Sequence, residues 1–101
     1  MDFAPFFEPL TINRLTLPNR FVLPAMQRGW CEGGVPSTEL GDYYVERVKG
    51  GAGLIITEAL AIEHPSATGQ KAATRLAKDT LENWQKIVGA VKDAGGFMFM
   101  Q

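Results

Sequence analysis

Two glutamine side chains, Gln27 and Gln101, follow short apolar runs of this 101-residue chain. A primary amide donates and accepts hydrogen bonds in one plane, so it can match a planar heterocycle that shows a carbonyl beside a ring N–H. Ala25 and Ala59 also follow apolar runs, and their small side chains leave the main chain accessible to such a ring. These residues predict a site for a flat ligand with one polar edge.

The other reactive side chains give weaker signals. Glu58 follows the second apolar run and could act as an acid or base, but we favour a structural hydrogen bond to the main chain. His64 is the only histidine, and its polar segment predicts a surface position. Cys31 is the only cysteine, so neither an internal disulfide nor a thiolate metal cluster can form within the chain. We expect no catalytic residue and no metal site here.

Composition excludes several classes of function. Ten basic and eleven acidic residues leave a net charge of −1, which gives no electrostatic reason to expect binding to nucleic acid or to an anionic membrane. The sequence shows no signal peptide and no apolar stretch of membrane-spanning length. With a single cysteine, these features predict a cytoplasmic protein.

The elements that must position the glutamines follow from the apolar runs and the turn residues. Three runs alternate with two helical patterns, and Leu10 to Leu17 alternates apolar and polar residues around Asn13-Arg14. The prediction is a hairpin over about 10–18, strands over about 20–24, 53–58 and 97–101, and helices over about 38–49 and 80–94. Residues 27–37 and 60–78 are predicted as long loops.

Both helices carry boundary signals. Ser37 or Thr38 can cap the first helix, and Gly50-Gly51 can end it. Asp79 and Glu82 predict a capping box at the second helix, which Gly95-Gly96 ends. The predicted buried stripes are Leu40, Tyr43, Tyr44 and Val48 on the first helix, and Leu81, Trp84, Ile87, Val88 and Val91 on the second.

Alternating strands and helices predict an α/β fold with a parallel sheet. An open nucleotide-binding sheet normally has a Gly-x-Gly-x-x-Gly turn after its first strand, and this chain has Pro24-Ala25-Met26-Gln27 there instead. The pattern therefore favours a (β/α)₈ TIM barrel, which needs roughly 250 residues. Residues 1–101 are expected to be the N-terminal portion of one such domain, a hairpin plus about two and a half βα units, with the barrel incomplete.

The whole chain resembles the Old Yellow Enzyme family, the NADH:flavin oxidoreductases. The resemblance runs in order through a series of short segments, none of them specific alone. They are Phe7-Glu-Pro-Leu-Thr-Ile, Leu17-Pro-Asn-Arg-Phe-Val, Met26, Asp42-Tyr-Tyr with Arg47, Gly50-Gly-Ala-Gly-Leu-Ile-Ile-Thr-Glu58, Trp84-Gln-Lys-Ile-Val, and Gly95-Gly with Gln101.

This resemblance implies a barrel that holds FMN, takes hydride from NAD(P)H and passes it to an activated alkene such as an α,β-unsaturated carbonyl compound. It implies that the cofactor-binding residues are Pro24, Ala25 and Met26 against the ring, Gln27 near its C4 carbonyl, Ala59 through its main chain, and Gln101 at the pyrimidine edge. Two departures bear on substrate class. The family commonly reads Ala-Pro-Met where this chain reads Pro-Ala-Met, and commonly has Thr or Cys at the position of Gln27.

The resemblance also implies that the family's carbonyl-binding pair, tyrosine proton donor and phosphate site lie beyond Gln101, so residues 1–101 alone are expected to be inactive. Two alternatives stay open. One is a different flavin- or phosphate-binding barrel enzyme, and the other is a non-catalytic half-barrel that serves as an interaction module. The sequence is compatible with a homo-oligomer of the full-length protein.

Overall fold

A computed structural model describes residues 1–101 in full, as two helices, one short 3₁₀ helix and nine short strands. The 3₁₀ helix is Ala4–Phe7. In chain order the other elements are β1 (Leu10–Ile12), β2 (Leu15–Leu17), β3 (Val22–Leu23), β4 (Cys31–Glu32), β5 (Val35–Pro36), α1 (Thr38–Lys49), β6 (Leu54–Ile56), β7 (Leu60–Ile62), β8 (Thr74–Leu76), α2 (Leu81–Asp93) and β9 (Met98–Phe99).

The central sheet is parallel and has the order β3-β6-β9. Leu23 pairs with Ile55, and Ile55 pairs with Met98 on its other side. The strands are joined through α1 and α2, which pack on each other and bury one face of the sheet. The core consists of Leu40, Tyr44, Ile55, Trp84, Ile87 and Val91. The predicted α/β class and its parallel connections are confirmed.

The sheet does not close on itself within these residues. β3 and β9 each have one hydrogen-bonded neighbour, so both outer edges of the sheet are unpaired. The radius of gyration is 14.7 Å, compared with about 13 Å for a compact domain of this length. This open, elongated shape is that of part of a barrel.

α1 begins and ends at the predicted residues. The Ser37 hydroxyl accepts a hydrogen bond from the Leu40 amide at 3.2 Å, which satisfies one of the free donors of the first turn. Gly51, just beyond the helix, has a φ of 111°, a conformation that residues with a Cβ rarely adopt. Both boundary signals of this helix were therefore interpreted correctly.

The predicted capping box of α2 is wrong. Thr80 is the N-cap and makes no side-chain cap bond, and the Asp79 carboxylate is instead engaged by Arg75 at 2.8 and 3.2 Å. A bidentate guanidinium contact satisfies that carboxylate better than a single amide of the helix would. Leu81, predicted in the buried stripe, is 47% exposed, whereas Trp84, Ile87 and Val91 are buried as predicted.

Both predicted long loops contain strands. β4 and β5 form a small antiparallel hairpin within 27–37, and β7 and β8 form a parallel pair within 60–78. The Arg75 amide donates to the Gly34 carbonyl at 2.8 Å, and the Arg75 guanidinium donates to the Gly33 carbonyl at 3.0 Å, so the two pairs are joined. Two- and three-residue strands are too short to show a hydrophobic period, so the sequence did not reveal them.

The three central strands are shorter and more exposed than predicted. Ile55 in the middle strand is fully buried, but Val22 and Phe99 in the outer strands are 44% and 47% exposed. The apolar run Phe21-Val22-Leu23 favours a buried first strand, and this expectation is wrong for Phe21 and Val22. The reason is that an outer strand has a neighbour on one side only, which leaves part of its surface uncovered.

Candidate functional site

The carboxyl ends of the central strands meet at one edge, where main-chain bonds connect β6 to β9. The Thr57 amide donates to the Phe99 carbonyl at 2.9 Å, and the Leu60 amide donates to the Gln101 carbonyl at 3.0 Å. The Gln101 amide in turn donates to the Thr57 hydroxyl at 3.3 Å. Gln101 therefore lies beside Ala59, as predicted from their positions after adjacent strands.

The end of β3 reaches the same place. Gln27 and Ala59 line one cavity of about 280 Å³, whose wall also includes Thr68 and Gln70. One residue further on, the Arg28 amide donates to a carboxylate oxygen of Glu58 at 3.0 Å. Three of the predicted site residues, Gln27, Ala59 and Gln101, thus follow the ends of three neighbouring strands.

The six predicted cofactor-binding residues are accessible at this edge. Ala25 is half-buried, and Pro24, Met26, Gln27, Ala59 and Gln101 are exposed. The side-chain amides of Gln27 and Gln101 form no hydrogen bond within the chain, and neither does the main chain of Ala25, Met26 or Ala59. Donors and acceptors without partners at one edge of a sheet fit a planar ring that carries both.

Glu58 is 1% exposed at this edge and takes part in three hydrogen bonds, one of which its carbonyl accepts from the Thr57 hydroxyl at 2.9 Å. Its amide donates to the Tyr44 hydroxyl at 3.0 Å, and one of its carboxylate oxygens accepts from the Arg28 amide. The predicted structural bond to the main chain is confirmed. The second carboxylate oxygen, Oε1, is buried and has no hydrogen-bond partner.

Tyr44 has a role that the sequence did not reveal. Tyr43 and Tyr44 were both interpreted as packing residues, yet the Tyr44 hydroxyl accepts the only hydrogen bond from the buried Glu58 amide. Burial raises the pKa of Tyr44 to about 12, so its hydroxyl stays neutral at physiological pH. The sequence did contain a signal for this contact. A tyrosine on the buried face of a helix usually finds a polar partner for its hydroxyl.

Arg28, which follows Gln27, and the aromatic residues near it form a cluster of cation–π contacts. The Arg28 guanidinium lies 4.9 Å from the Trp30 ring centroid and 5.1 Å from that of Tyr43. Trp30 meets Tyr43 edge-on at 5.5 Å, and the Arg47 guanidinium lies 4.1 Å from the Tyr43 centroid. Trp30 thus packs within this loop, and these contacts hold the Arg28 side chain.

The remaining reactive side chains lie outside this edge. The Cys31 thiol donates to the Ala72 carbonyl at 2.9 Å, and burial raises its pKa. His64 is exposed, as predicted, and its Nδ1 lies 2.9 Å from the Ser66 hydroxyl. No cluster of histidine, cysteine and acidic side chains has the arrangement of a metal site. Neither helix is long and apolar enough to cross a bilayer.

An open parallel sheet with two helices packed on one face defines the class of this chain, a segment of an α/β barrel. Comparison with known sequences identifies the family. The sequence model of the NADH:flavin oxidoreductase / NADH oxidase family matches residues 5–101. The chain therefore belongs to that family, as its motifs predicted.

Individual relatives agree with this assignment. The chain is 35% identical to 12-oxophytodienoate reductase 7 of Oryza sativa subsp. japonica over 97% of its length, and 35% identical to NADH oxidase of Thermoanaerobacter brockii over 98%. These matches cover 25% and 16% of the two relatives. The solved old yellow enzyme of Trypanosoma cruzi is 37% identical with a TM-score of 0.86, over 98% of this chain and 26% of that one.

The chain thus spans a quarter or less of the two curated relatives and corresponds to the opening part of a TIM barrel, which confirms the predicted fold class. The family is FMN-dependent, and the residues present fit a flavin. Two amides without partners can meet the carbonyls and ring N–H of its polar edge, and the free main chain near Ala25 and Ala59 leaves room for close approach.

Proposed function

We propose that the complete gene product is an FMN-dependent oxidoreductase of the ene-reductase type, acting in the cytoplasm on a small α,β-unsaturated carbonyl compound with NAD(P)H as donor. Family membership supports the flavin chemistry. The names of two relatives support the acceptor class, 12-oxophytodienoate reductase 7 in rice and a probable flavin mononucleotide-dependent alkene reductase in Leishmania infantum. The balanced charge of the chain gives no reason to add nucleic acid or membrane partners.

FMN, when bound, supplies the capacity to accept and pass on a hydride. We assign contacts with the ring to Pro24, Ala25 and Met26, a hydrogen bond to its C4 carbonyl to Gln27, and hydrogen bonds with its pyrimidine edge to Gln101, with Ala59 contributing its main chain. Donors at that edge favour the negative charge that reduction places on the ring. The observation that carries this proposal is the pair of side-chain amides without hydrogen bonds at the ends of β3 and β9, the two strands that flank β6.

Residues 1–101 alone are proposed to be inactive. The edge offers groups that hold and orient a ring, but the nearby tyrosine hydroxyl, that of Tyr44, is buried and engaged by Glu58. The only histidine is in a surface loop. Neither of these two side chains is therefore placed to deliver a proton at this edge.

The test is purification of the complete gene product, followed by its absorption spectrum and titration with FMN. We expect a yellow protein that retains FMN and oxidises NADH or NADPH when an α,β-unsaturated ketone is supplied. A protein that binds FMN but reduces no activated alkene would support the alternative of a different flavin barrel. A colourless protein that does not take up FMN would contradict the proposal.

A further inference from the structure

We propose that Thr57 and Glu58 form a positioning pair that fixes both ring-binding glutamines from the strand between them. Each side chain reaches across to a different neighbour, Thr57 towards Gln101 and Glu58 towards the Gln27–Arg28 peptide. The inference rests on the proposed function, because it concerns how the flavin-binding edge is held in place.

Glu58 fixes the segment that carries Gln27. Between Pro24 and Gly29, the bond from the Arg28 amide to the Glu58 carboxylate is the only hydrogen bond that the main chain makes. That amide belongs to the peptide unit joining Gln27 to Arg28, so the bond restricts the ψ angle of Gln27. A bond from an amide to a carboxylate is stronger than one between neutral groups, and this one is partly buried, with Glu58 itself 1% exposed.

Thr57 fixes Gln101 in a similar way. Its hydroxyl accepts from the Gln101 amide at 3.3 Å and donates to the Glu58 carbonyl at 2.9 Å, and its side chain is fully buried. The hydroxyl proton is therefore directed to Glu58, which leaves the oxygen lone pairs for Gln101. With the bond from the Leu60 amide to the Gln101 carbonyl, the main chain of Gln101 is held on both sides.

Neither residue needs to touch a bound ring to affect it. The glutamine side chains are exposed and unbonded, so their orientation depends on the main chain beneath them. Small misplacement of a hydrogen-bonding group weakens the contact it was placed to make. Removing either support is expected to weaken FMN binding and to shift the flavin midpoint potential, since both depend on donors at the ring edge.

The experiment uses the complete gene product and the variants Glu58→Ala and Thr57→Val, with Thr57→Ser restoring the hydroxyl. The matched control is Glu63→Ala, which removes an exposed carboxylate that has no ion pair. We expect the Kd for FMN to rise about tenfold in the first two variants, the effect of one lost hydrogen bond of this kind. Thr57→Ser and Glu63→Ala are expected to stay within about twofold of the wild type.

A double-mutant cycle separates positioning from general destabilisation. If Glu58 acts through Gln27, Glu58→Ala raises the Kd much less in a Gln27→Ala background than in the wild type. Glu58→Gln provides a milder variant should Glu58→Ala fail to fold, since an amide oxygen can still accept from the Arg28 amide without the charge. Its expected Kd and flavin potential lie between those of the wild type and Glu58→Ala.

The outcomes distinguish this inference from the proposed function. A wild-type protein that binds FMN, with Glu58→Ala and Thr57→Val indistinguishable from Glu63→Ala in Kd and midpoint potential, overturns the positioning pair and leaves the proposed function intact. Additive effects of Glu58→Ala and Gln27→Ala also overturn it. A wild-type protein that takes up no FMN overturns both.

Discussion

At the residue scale, Gln101 combines a fixed main chain with a free side chain. Its amide and carbonyl are both hydrogen-bonded, while its side-chain amide is exposed and has no partner. We therefore expect Gln101→Ala to leave the fold intact and to raise the Kd for FMN of the complete gene product about tenfold, from the loss of its hydrogen bonds to the ring. Fluorescence quenching of FMN on binding measures this.

The control for this variant is Gln85→Ala, which removes an exposed amide from the outer face of α2. An unchanged Kd in both variants would remove Gln101 from the site. A similar rise in both would show an effect of stability instead of contact.

Tyr44 gives a pH-dependent prediction. The ordinary pKa of a tyrosine is 10.0, and burial raises that of Tyr44 to about 12. Between pH 10 and pH 12 the unfolded chain therefore loses the phenolic proton of Tyr44, while the folded chain keeps it. The free energy of unfolding should therefore fall as the pH rises from 10 to 12, and Tyr44→Phe should lack that part of the decline. Urea unfolding of the complete gene product at several pH values measures the difference.

The same variant has an effect at neutral pH. Tyr44→Phe leaves the buried Glu58 amide without a partner, so it should lower the free energy of unfolding by about 1–3 kcal/mol. Tyr43→Phe is the matched control, because the Tyr43 hydroxyl forms no hydrogen bond. Equal stability of the two variants would contradict the role assigned to Tyr44.

Sequence reasoning succeeded for residues whose position follows from strand order. Gln101 and Ala59 come after adjacent parallel strands, and parallel strands end at a common edge. It did not reveal the bond between Tyr44 and Glu58, because helical periodicity says which face of a helix is buried, not what a hydroxyl on that face will meet. It also misplaced Asp79, whose partner Arg75 lies on a strand that the sequence did not show.

At the scale of elements, substitution of glycine by alanine is expected to change the free energy of unfolding in opposite directions at Gly53 and Gly89. A Cβ on Gly53 would lie 2.9 Å from the Asn19 carbonyl oxygen, where β3 and β6 approach each other, whereas a Cβ on Gly89 in α2 meets nothing within 4 Å. Gly53→Ala should lower the free energy of unfolding by about 1–3 kcal/mol. Gly89→Ala should raise it by up to about 1 kcal/mol, since alanine favours the helix.

Thermal and urea unfolding of the complete gene product provide the measurement, with Gly89→Ala as the internal comparison. Destabilisation by both substitutions would mean that the surroundings of Gly89 are more crowded than the structure shows. Neutral behaviour of Gly53→Ala would mean that the start of β3 can move away from β6.

The elements with strong local signals are those that the sequence located well. Ser37 and the glycine pair after Lys49 placed both ends of α1, because a cap and a left-handed glycine act within one turn of chain. β7 and β8 carry no such signal, since they exist through pairing with each other across residues 63–73. Pairing over that distance depends on tertiary structure and leaves little trace in local composition.

At the scale of the whole molecule, the two unpaired edges of the central sheet predict how residues 1–101 behave in isolation. β3 and β9 expose main-chain donors and acceptors together with apolar side chains such as Val22 and Phe99. Such edges promote association between chains. We expect size-exclusion chromatography of residues 1–101 to show oligomers or aggregate at micromolar concentration, whereas a stable monomer would favour the interaction-module alternative.

The bonds that assemble the ring-binding edge also bear on the order of events during synthesis. Glu58 meets Arg28 across 30 residues, and Thr57 meets Gln101 across 44. Both partners of the Glu58–Arg28 bond are therefore translated before Gln101 is. Under the proposed function, the ring-binding edge is complete only after the third central strand has been synthesised. A nascent chain that contains only the first two central strands carries one of the two ring-binding glutamines, Gln27.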